Sequence, residues 1–185
     1  MQVRFTKDDA KRYSITIDRE TGPALVPRFG PGYDDLMPHD LAHYLVEEFF
    51  EIQLGVWGQL AAGGGGIFTP APEDNSLQYQ RRSQRIGAVG RAEMARSEQL
   101  VLITVVTWER RIGRIKNQVR PFALEVDADT LGGAVDRMDE VAGRWQALQY
   151  GGSLTFTWPR HLTFDASKSR RGRRTSKRTP TLSRR

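Results

Sequence analysis

Apolar and polar residues alternate at the start of the chain, and this two-residue period predicts β-strands. The alternation covers residues 2–6 and 12–18, and the polar residues 7–11 between them suit a turn. The two segments therefore predict an antiparallel hairpin. Residues 20–36 contain several glycines and prolines, so we expect an irregular connection to follow the hairpin.

A second alternating segment lies near the end of the chain, at residues 153–158. Leu154, Phe156 and Trp158 fall on one face of this segment, and two threonines fall on the other. Pro159 closes it, because proline cannot continue the ladder of a central strand. The segment predicts a strand that is buried on one face only.

Between these two regions, apolar residues recur every three or four positions, which is the period of an α-helix. The first such segment covers residues 38–53, where a proline suits the first turn and Gly55 ends the helix. The second begins at Asp127 or Asp129 and stops at the glycine pair 151–152. Both segments predict amphipathic helices.

The first of these helices has a polar face that we expect to be exposed to solvent. At about 100° per residue, its apolar side chains form one arc, and acidic side chains and a tyrosine form the opposite arc. The members of the polar arc are Asp40, Tyr44, Glu47, Glu48 and Glu51.

Residues 97–114 fit two kinds of secondary structure. Their β-branched side chains would suit a strand. The length of the segment favours a helix instead, with Ser97 as its N-cap.

The region before this segment is polar and contains glycine and arginine clusters. Residues 63–76 begin with four glycines, and we expect them to form a flexible joint. In residues 77–99, Arg81, Arg82 and Arg85 could extend a basic surface, although acidic residues lie close to them in the sequence.

Together these elements predict one small α+β domain over residues 1–166. An antiparallel sheet, formed by the N-terminal hairpin and the C-terminal strand, would pack against about three helices. A chain of 185 residues is long enough to bury its own core. The absence of cysteine from the sequence excludes a disulfide scaffold, a cysteine-ligated metal centre and a thiol nucleophile.

The positive charge of the chain is concentrated at its C-terminal end. The whole chain has 28 Lys+Arg against 22 Asp+Glu, a formal charge of +6. Residues 167–185 hold nine basic residues and no acidic one, which leaves residues 1–166 with 19 basic and 22 acidic residues, a charge of −3. This tail has almost no apolar side chain to bury, so we expect it to be disordered.

A basic disordered tail is a common device for holding phosphate backbones. We expect it to contact nucleic acid or another polyanion without sequence preference, because it has no aromatic side chain that could stack on bases. The contacting residues would be Arg170, Arg171, Arg173, Arg174, Lys177 and Arg178. The alternative is a solvated extension that has no selected partner.

The sequence carries no sign of a membrane or export segment. Its first residues lack the apolar stretch of a signal peptide. The longest apolar run, residues 100–106, is far shorter than the roughly 20 residues that a membrane span needs. We therefore expect a cytoplasmic protein with no membrane partner.

Three motifs give the chain a family resemblance. Residues 36–47 are LMPHDLAHYLVE, residues 55–64 are GVWGQLAAGG, and residues 151–159 are GGSLTFTWP. With these motifs the chain resembles a recurrent family of uncharacterised bacterial proteins over about residues 30–160. The resemblance implies a bacterial source and a genuine domain, but no activity, and the basic tail is not part of it.

The candidate chemistry of the chain rests on its three histidines. His39 and His43 are four residues apart on the first predicted helix, so their imidazoles lie on one side and could hold a divalent ion such as zinc. His161 is the obvious third ligand, because the C-terminal strand would bring it to the same body. Asp35 and Glu98 are the acidic alternatives.

Two carboxylates would support such a metal site. Glu47 is eight residues from His39, about 12 Å along a helix, so it cannot join that ligand set and would instead orient His43. Asp40 stands where the zinc-protease motif HExxH has its glutamate, and its shorter side chain argues against that mechanism. The alternative is that both histidines only hydrogen-bond to neighbours and stabilise the helix.

Two functions remain open on this basis. The first is a non-enzymatic binding or accessory module whose tail contacts nucleic acid or another polyanion. The second is a divalent-metal-binding domain, with hydrolase activity as one form of it. The charge distribution favours the first, so we do not expect an enzyme.

Overall fold

The described residues of the protein form a four-stranded antiparallel sheet and five α-helices. The structure is a computed structural model that describes residues 1–31, 36–115 and 124–165. The strands are β1 (Gln2–Lys7), β2 (Arg12–Asp18), β3 (Arg28–Pro31) and β4 (Ser153–Thr157). The helices are α1 (His39–Phe49), α2 (Val56–Ala61), α3 (Leu77–Val89), α4 (Arg91–Arg111) and α5 (Ala128–Gln146). This architecture confirms the predicted α+β class.

The sheet joins the two ends of the folded body. Its strand order is β3-β2-β1-β4, so β1 lies between its hairpin partner β2 and the C-terminal strand β4. Val3 of β1 lies opposite Ile17 of β2 and opposite Phe156 of β4. The predicted hairpin and the predicted last strand are therefore both confirmed, and they belong to one sheet.

The edge strand β3 falls in the segment that we expected to be irregular. Its Gly30 lies opposite Tyr13 of β2. A Cβ atom at residue 30 would lie only 2.0 Å from Cζ of Tyr13, so the tyrosine ring occupies the space that any larger residue would need. The strand is short and contains glycine and proline, which conceals the alternation that marks the other strands.

Helix α1 lies in the centre of the core. Residues 41–47 are all buried, because the sheet covers one side of α1 and α4 and α5 pack on others. Phe5, Tyr44 and Trp57 meet edge to face, with ring centroids 5.5–6.3 Å apart. The expected exposed polar face is therefore wrong for Tyr44 and Glu47, which are both fully buried.

The two long helices α4 and α5 were both predicted as helices, but not all of their predicted boundaries are correct. Residues 97–114 were expected to be helical, and α4 confirms this, but it begins at Arg91. Ser97 is therefore not an N-cap, and it is buried within the helix. Helix α5 begins after Asp127, one of the two starts that the sequence left open, and the Asp127 side chain accepts a hydrogen bond from the Thr130 amide at 2.9 Å.

Helix α3 was not predicted, because its sequence is polar and has few apolar positions. Ser76 caps it by accepting a hydrogen bond from the Tyr79 amide at 3.2 Å. Only Tyr79 and Ile86 of this helix are buried. None of the helices that the structure describes is long and apolar enough to cross a bilayer.

The first part of the segment 63–76, which we expected to be a flexible joint, is closely packed. Residues 63–65 are buried, and a Cβ atom at Gly65 would lie 2.5 Å from the Tyr79 hydroxyl oxygen. The guanidinium group of Arg19 donates hydrogen bonds to the carbonyl oxygens of Leu60 and Gly64, and that of Arg82 donates to the carbonyl oxygen of Ala62 just before the segment. These contacts tie the segment to the body.

Candidate functional site

The two helical histidines come together at the start of α1. His39 is exposed, whereas only 5% of His43 is exposed. Their ring centroids are 4.6 Å apart, with an angle of 65° between the ring planes. The predicted pairing of these two side chains on one side of the helix is present.

An acidic side chain from α4 faces this pair. Oε2 of Glu98 lies 3.8 Å from Nε2 of His43, and the glutamate side chain is 61% exposed. Beside them is an open cavity of about 360 Å³. The cavity is lined by His39, Glu98, Gln99, Val101, Leu102 and Val105. Glu98 was one of two acidic alternatives for a third ligand, and the other, Asp35, lies outside the described residues.

The surroundings of the buried histidine favour its neutral form. Burial lowers the pKa of His43, and the neighbouring His39 lowers that pKa further. Within the described residues, Nδ1 of His43 has no hydrogen-bond partner. The 3.8 Å between Nε2 and Oε2 of Glu98 is longer than a hydrogen bond. His43 is therefore a buried imidazole that lacks the partner a buried polar group usually has.

The third histidine lies elsewhere. His161, which is 69% exposed in its side chain, has Nε2 at 3.8 Å from Oε1 of Glu51. Glu51 follows the end of α1, eight residues beyond His43, so His161 lies toward the opposite end of the helix. Among the described residues, no group of three or more histidine, aspartate or glutamate side chains could hold a metal ion with the side chains placed as they are in this structure.

Glu47 does not orient His43, as the sequence suggested, but links α1 to α2 and α4. Its carboxylate accepts hydrogen bonds from the amides of Val56 and Trp57 and from the hydroxyl of Ser97, each at 2.8 Å. Burial raises the pKa of Glu47 to about 7, against the opposing effect of these three donors. Gly55 is needed beside it, because a Cβ there would lie 2.3 Å from Cδ of Glu47.

Asp40 also has a role other than the one considered from the motif. Its Oδ2 accepts a hydrogen bond from the Tyr13 hydroxyl at 2.6 Å and pairs with the Arg28 guanidinium at 2.5 Å. The carboxylate thereby ties α1 to β2 and β3. It is engaged with the sheet, so nothing in its position suits the general base of a zinc protease.

A second feature of the described surface is a group of exposed arginines on α3 and the first turns of α4. Its members are Arg81, Arg85, Arg91 and Arg96. Arg82, which the sequence grouped with them, instead donates to the carbonyl oxygen of Ala62 at 2.9 Å. Arg81 and Arg85 were candidates for a basic surface from the sequence, although the acidic residues close to them suggested local neutralisation.

The basic residues proposed from the tail lie outside the described residues. They are Arg170, Arg171, Arg173, Arg174, Lys177 and Arg178. Their contribution is therefore argued from charge alone.

No protein-family model, curated protein or solved structure matches this chain. The resemblance to a bacterial family thus remains a prediction. Any function for the protein has to be argued from its own residues.

Proposed function

We propose that the protein is a non-enzymatic binding module that contacts the phosphate backbone of nucleic acid. The proposal is carried by the four exposed arginines of α3 and α4, namely Arg81, Arg85, Arg91 and Arg96. Within the described residues, none of these four side chains has an ion pair or hydrogen bond. Their charge is therefore available to a partner.

The arginines of α5, and Arg111 at the end of α4, are instead paired with acidic neighbours. Arg111 of α4 pairs with two aspartates of α5, and Arg137 and Arg144 both pair with Glu140. Exposed pairs of this kind contribute little to stability, but they reduce the local positive potential. The free arginines thus distinguish the surface of α3 and the start of α4 from that of α5.

The acidic residues near these arginines are directed elsewhere. Residues 77–99 contain five arginines and two glutamates. Glu93 accepts a hydrogen bond from the amide of Leu54 at 2.9 Å, and Glu98 faces His43. Because neither glutamate pairs with an arginine of this surface, the surface keeps its excess positive charge.

The basic tail would add to the same interaction. Nine further basic residues without an acidic one follow in residues 167–185. Contacts to phosphates release counterions, so both regions would bind in a salt-dependent manner that does not depend on base sequence. We place this activity in the cytoplasm, where nucleic acid is accessible.

The test compares variants of the full chain that change the net charge equally. Arg81→Gln/Arg85→Gln removes two free arginines, and Arg137→Gln/Arg144→Gln removes two paired ones from α5. Binding of duplex DNA, duplex RNA and a single strand would be followed by fluorescence anisotropy across a salt series. A third variant replaces the six named tail residues by glutamine.

We expect the α3 variant to bind more weakly and to lower the slope of log K against log salt concentration by about two. The α5 variant should resemble the unaltered protein, and the tail variant should lose more affinity than either. Equal binding by the α3 and α5 variants, or binding that does not respond to salt, would refute the proposal. Stronger binding to heparin than to either nucleic acid would show a different polyanion as the partner.

A further inference from the structure

The unpartnered imidazole of His43 suggests a site that is separate from the arginine surface. A buried polar group without a hydrogen bond lowers the stability of the folded state. Only 5% of His43 is exposed to solvent, and neither of its nitrogens has a hydrogen bond within the described residues. A metal ion bound at Nε2, the nitrogen that faces Glu98, would give the ring one partner, while Nδ1 would keep its proton.

The side chains around His43 are of types that bind metal ions. His39 contributes a second imidazole from the same helix, one turn earlier, and Glu98 contributes a carboxylate from α4. Imidazole and carboxylate groups bind zinc and similar transition metals, and imidazole must be neutral to do so.

The distances are close to those of a ligand set. Two ligands of one tetrahedral zinc ion, each bound at about 2.0–2.1 Å, lie about 3.3 Å from each other. Nε2 of His43 and Oε2 of Glu98 are 3.8 Å apart. Glu98 and His39 are both exposed, so their side chains can turn toward a bound ion without disturbing the core.

We propose that His39, His43 and Glu98 bind a divalent transition-metal ion such as zinc. His43 is the fixed ligand, and His39 and Glu98 close on the ion from α1 and α4. The open cavity beside His39 and Glu98 leaves room for water as a fourth ligand. His161, the third ligand that the sequence favoured, takes no part, because it lies beside Glu51.

The bound ion would connect two helices. His39 and His43 belong to α1 and Glu98 belongs to α4, so metal binding would add a cross-link between them. A ligand that binds only the folded state stabilises it by mass action. The site therefore predicts a rise in melting temperature with metal, in addition to the binding itself.

The test uses the untagged full chain, freed of metal with a chelator. Zn²⁺ binding is measured by titration calorimetry, and Mg²⁺, which prefers oxygen ligands, serves as the control ion. The variants are His39→Ala and Glu98→Gln, both at exposed side chains that leave the core intact. His161→Ala is the matched control, since it removes an exposed histidine elsewhere.

We expect about one equivalent of Zn²⁺ to bind to the unaltered protein and to His161→Ala, with a higher melting temperature in both. His39→Ala should lose the binding and the thermal shift, and Glu98→Gln should weaken both. Absence of Zn²⁺ binding, unchanged binding in His39→Ala, or loss in His161→Ala would each overturn the proposal. Because no arginine is altered, a failure here leaves the nucleic-acid proposal unaffected.

Discussion

The buried carboxylate of Glu47 makes the stability of the protein depend on pH in a specific direction. Glu47 is fully buried, and burial raises its pKa from 4.5 to about 7. In the unfolded chain the same group should titrate near its ordinary value. Between pH 4.5 and 7 the folded state therefore binds more protons than the unfolded state, so the free energy of unfolding falls as the pH rises through this range.

The size of this effect follows from the two pKa values. Each unit of difference corresponds to about 1.4 kcal/mol, so a shift from 4.5 to about 7 is worth about 3 kcal/mol. This stabilisation is fully present below pH 4.5 and is lost above pH 7. Other groups titrate as well, so Glu47 has to be isolated by comparison with a variant that cannot ionise at that position.

Glu47→Gln is the appropriate variant, because it keeps the size of the side chain and removes the titration. Urea unfolding of the unaltered protein and of Glu47→Gln at a series of pH values would give the free energy of unfolding of each. We expect the free energy of unfolding of the unaltered protein, relative to that of Glu47→Gln, to fall by about 3 kcal/mol from pH 4.5 to 7 and then to stay constant. Glu73→Gln, at an exposed position, is the control and should show no such change.

The reasoning would be refuted by the opposite slope. Three hydrogen-bond donors surround the carboxylate, and donors favour the ionised form, whereas burial favours the neutral one. The free energy of unfolding of the unaltered protein would then increase with pH relative to that of Glu47→Gln. Such a result would mean that the hydrogen-bond donors lower the pKa of Glu47 by more than burial raises it. Ser97→Ala provides a second check, because losing its donor should raise the pKa of Glu47 further and extend the pH-dependent range upward.

Three further changes test the packing and the helix ends, each by urea unfolding at constant pH. Gly132→Ala should stabilise α5 by roughly 0.5–1 kcal/mol, because glycine is unfavourable within a helix and a Cβ there meets open space; a loss of stability would contradict this. Gly30→Ala should destabilise by about 1–3 kcal/mol, since its Cβ would overlap the Tyr13 ring, and unchanged stability would mean that β3 is wrongly placed. Asp127→Ala should lower the free energy of unfolding by removing the cap on the Thr130 amide, whereas Asp127→Asn, which can still cap, should lower it much less.

Periodicity along the chain was sufficient to predict the elements that bury one face. The hairpin and β4 alternate without interruption, and α5 combines a regular apolar stripe with a capping aspartate. In these elements the local sequence carries the same information as the packing. The strand β3 and the helix α3 lack such a pattern, because one is a short edge strand with glycine and proline and the other is mostly exposed.

The candidate sites were harder to predict, because they depend on which helices meet. The spacing of His39 and His43 was visible in the sequence, but the choice between His161 and Glu98 required the register of α4 against α1. Likewise the hydrogen bond from the Ser97 hydroxyl to the Glu47 carboxylate joins residues that are 50 positions apart in the sequence. No local pattern distinguishes that glutamate from its solvated neighbours.

His43 and Glu47 of helix α1 are both buried and titratable and lie one turn apart, but their surroundings differ. The burial of the Glu47 carboxylate is compensated within the described residues, because two backbone amides and a hydroxyl donate hydrogen bonds to it. His43 is nearly as buried, yet its Nδ1 has no partner and its Nε2 faces only the more distant Glu98. Glu47 can thus be explained by the fold alone, since it holds α2 and α4 against α1. His43 has no such donors or acceptors around it, and because His39 and Glu98 lie beside it we propose ligand binding at the start of α1.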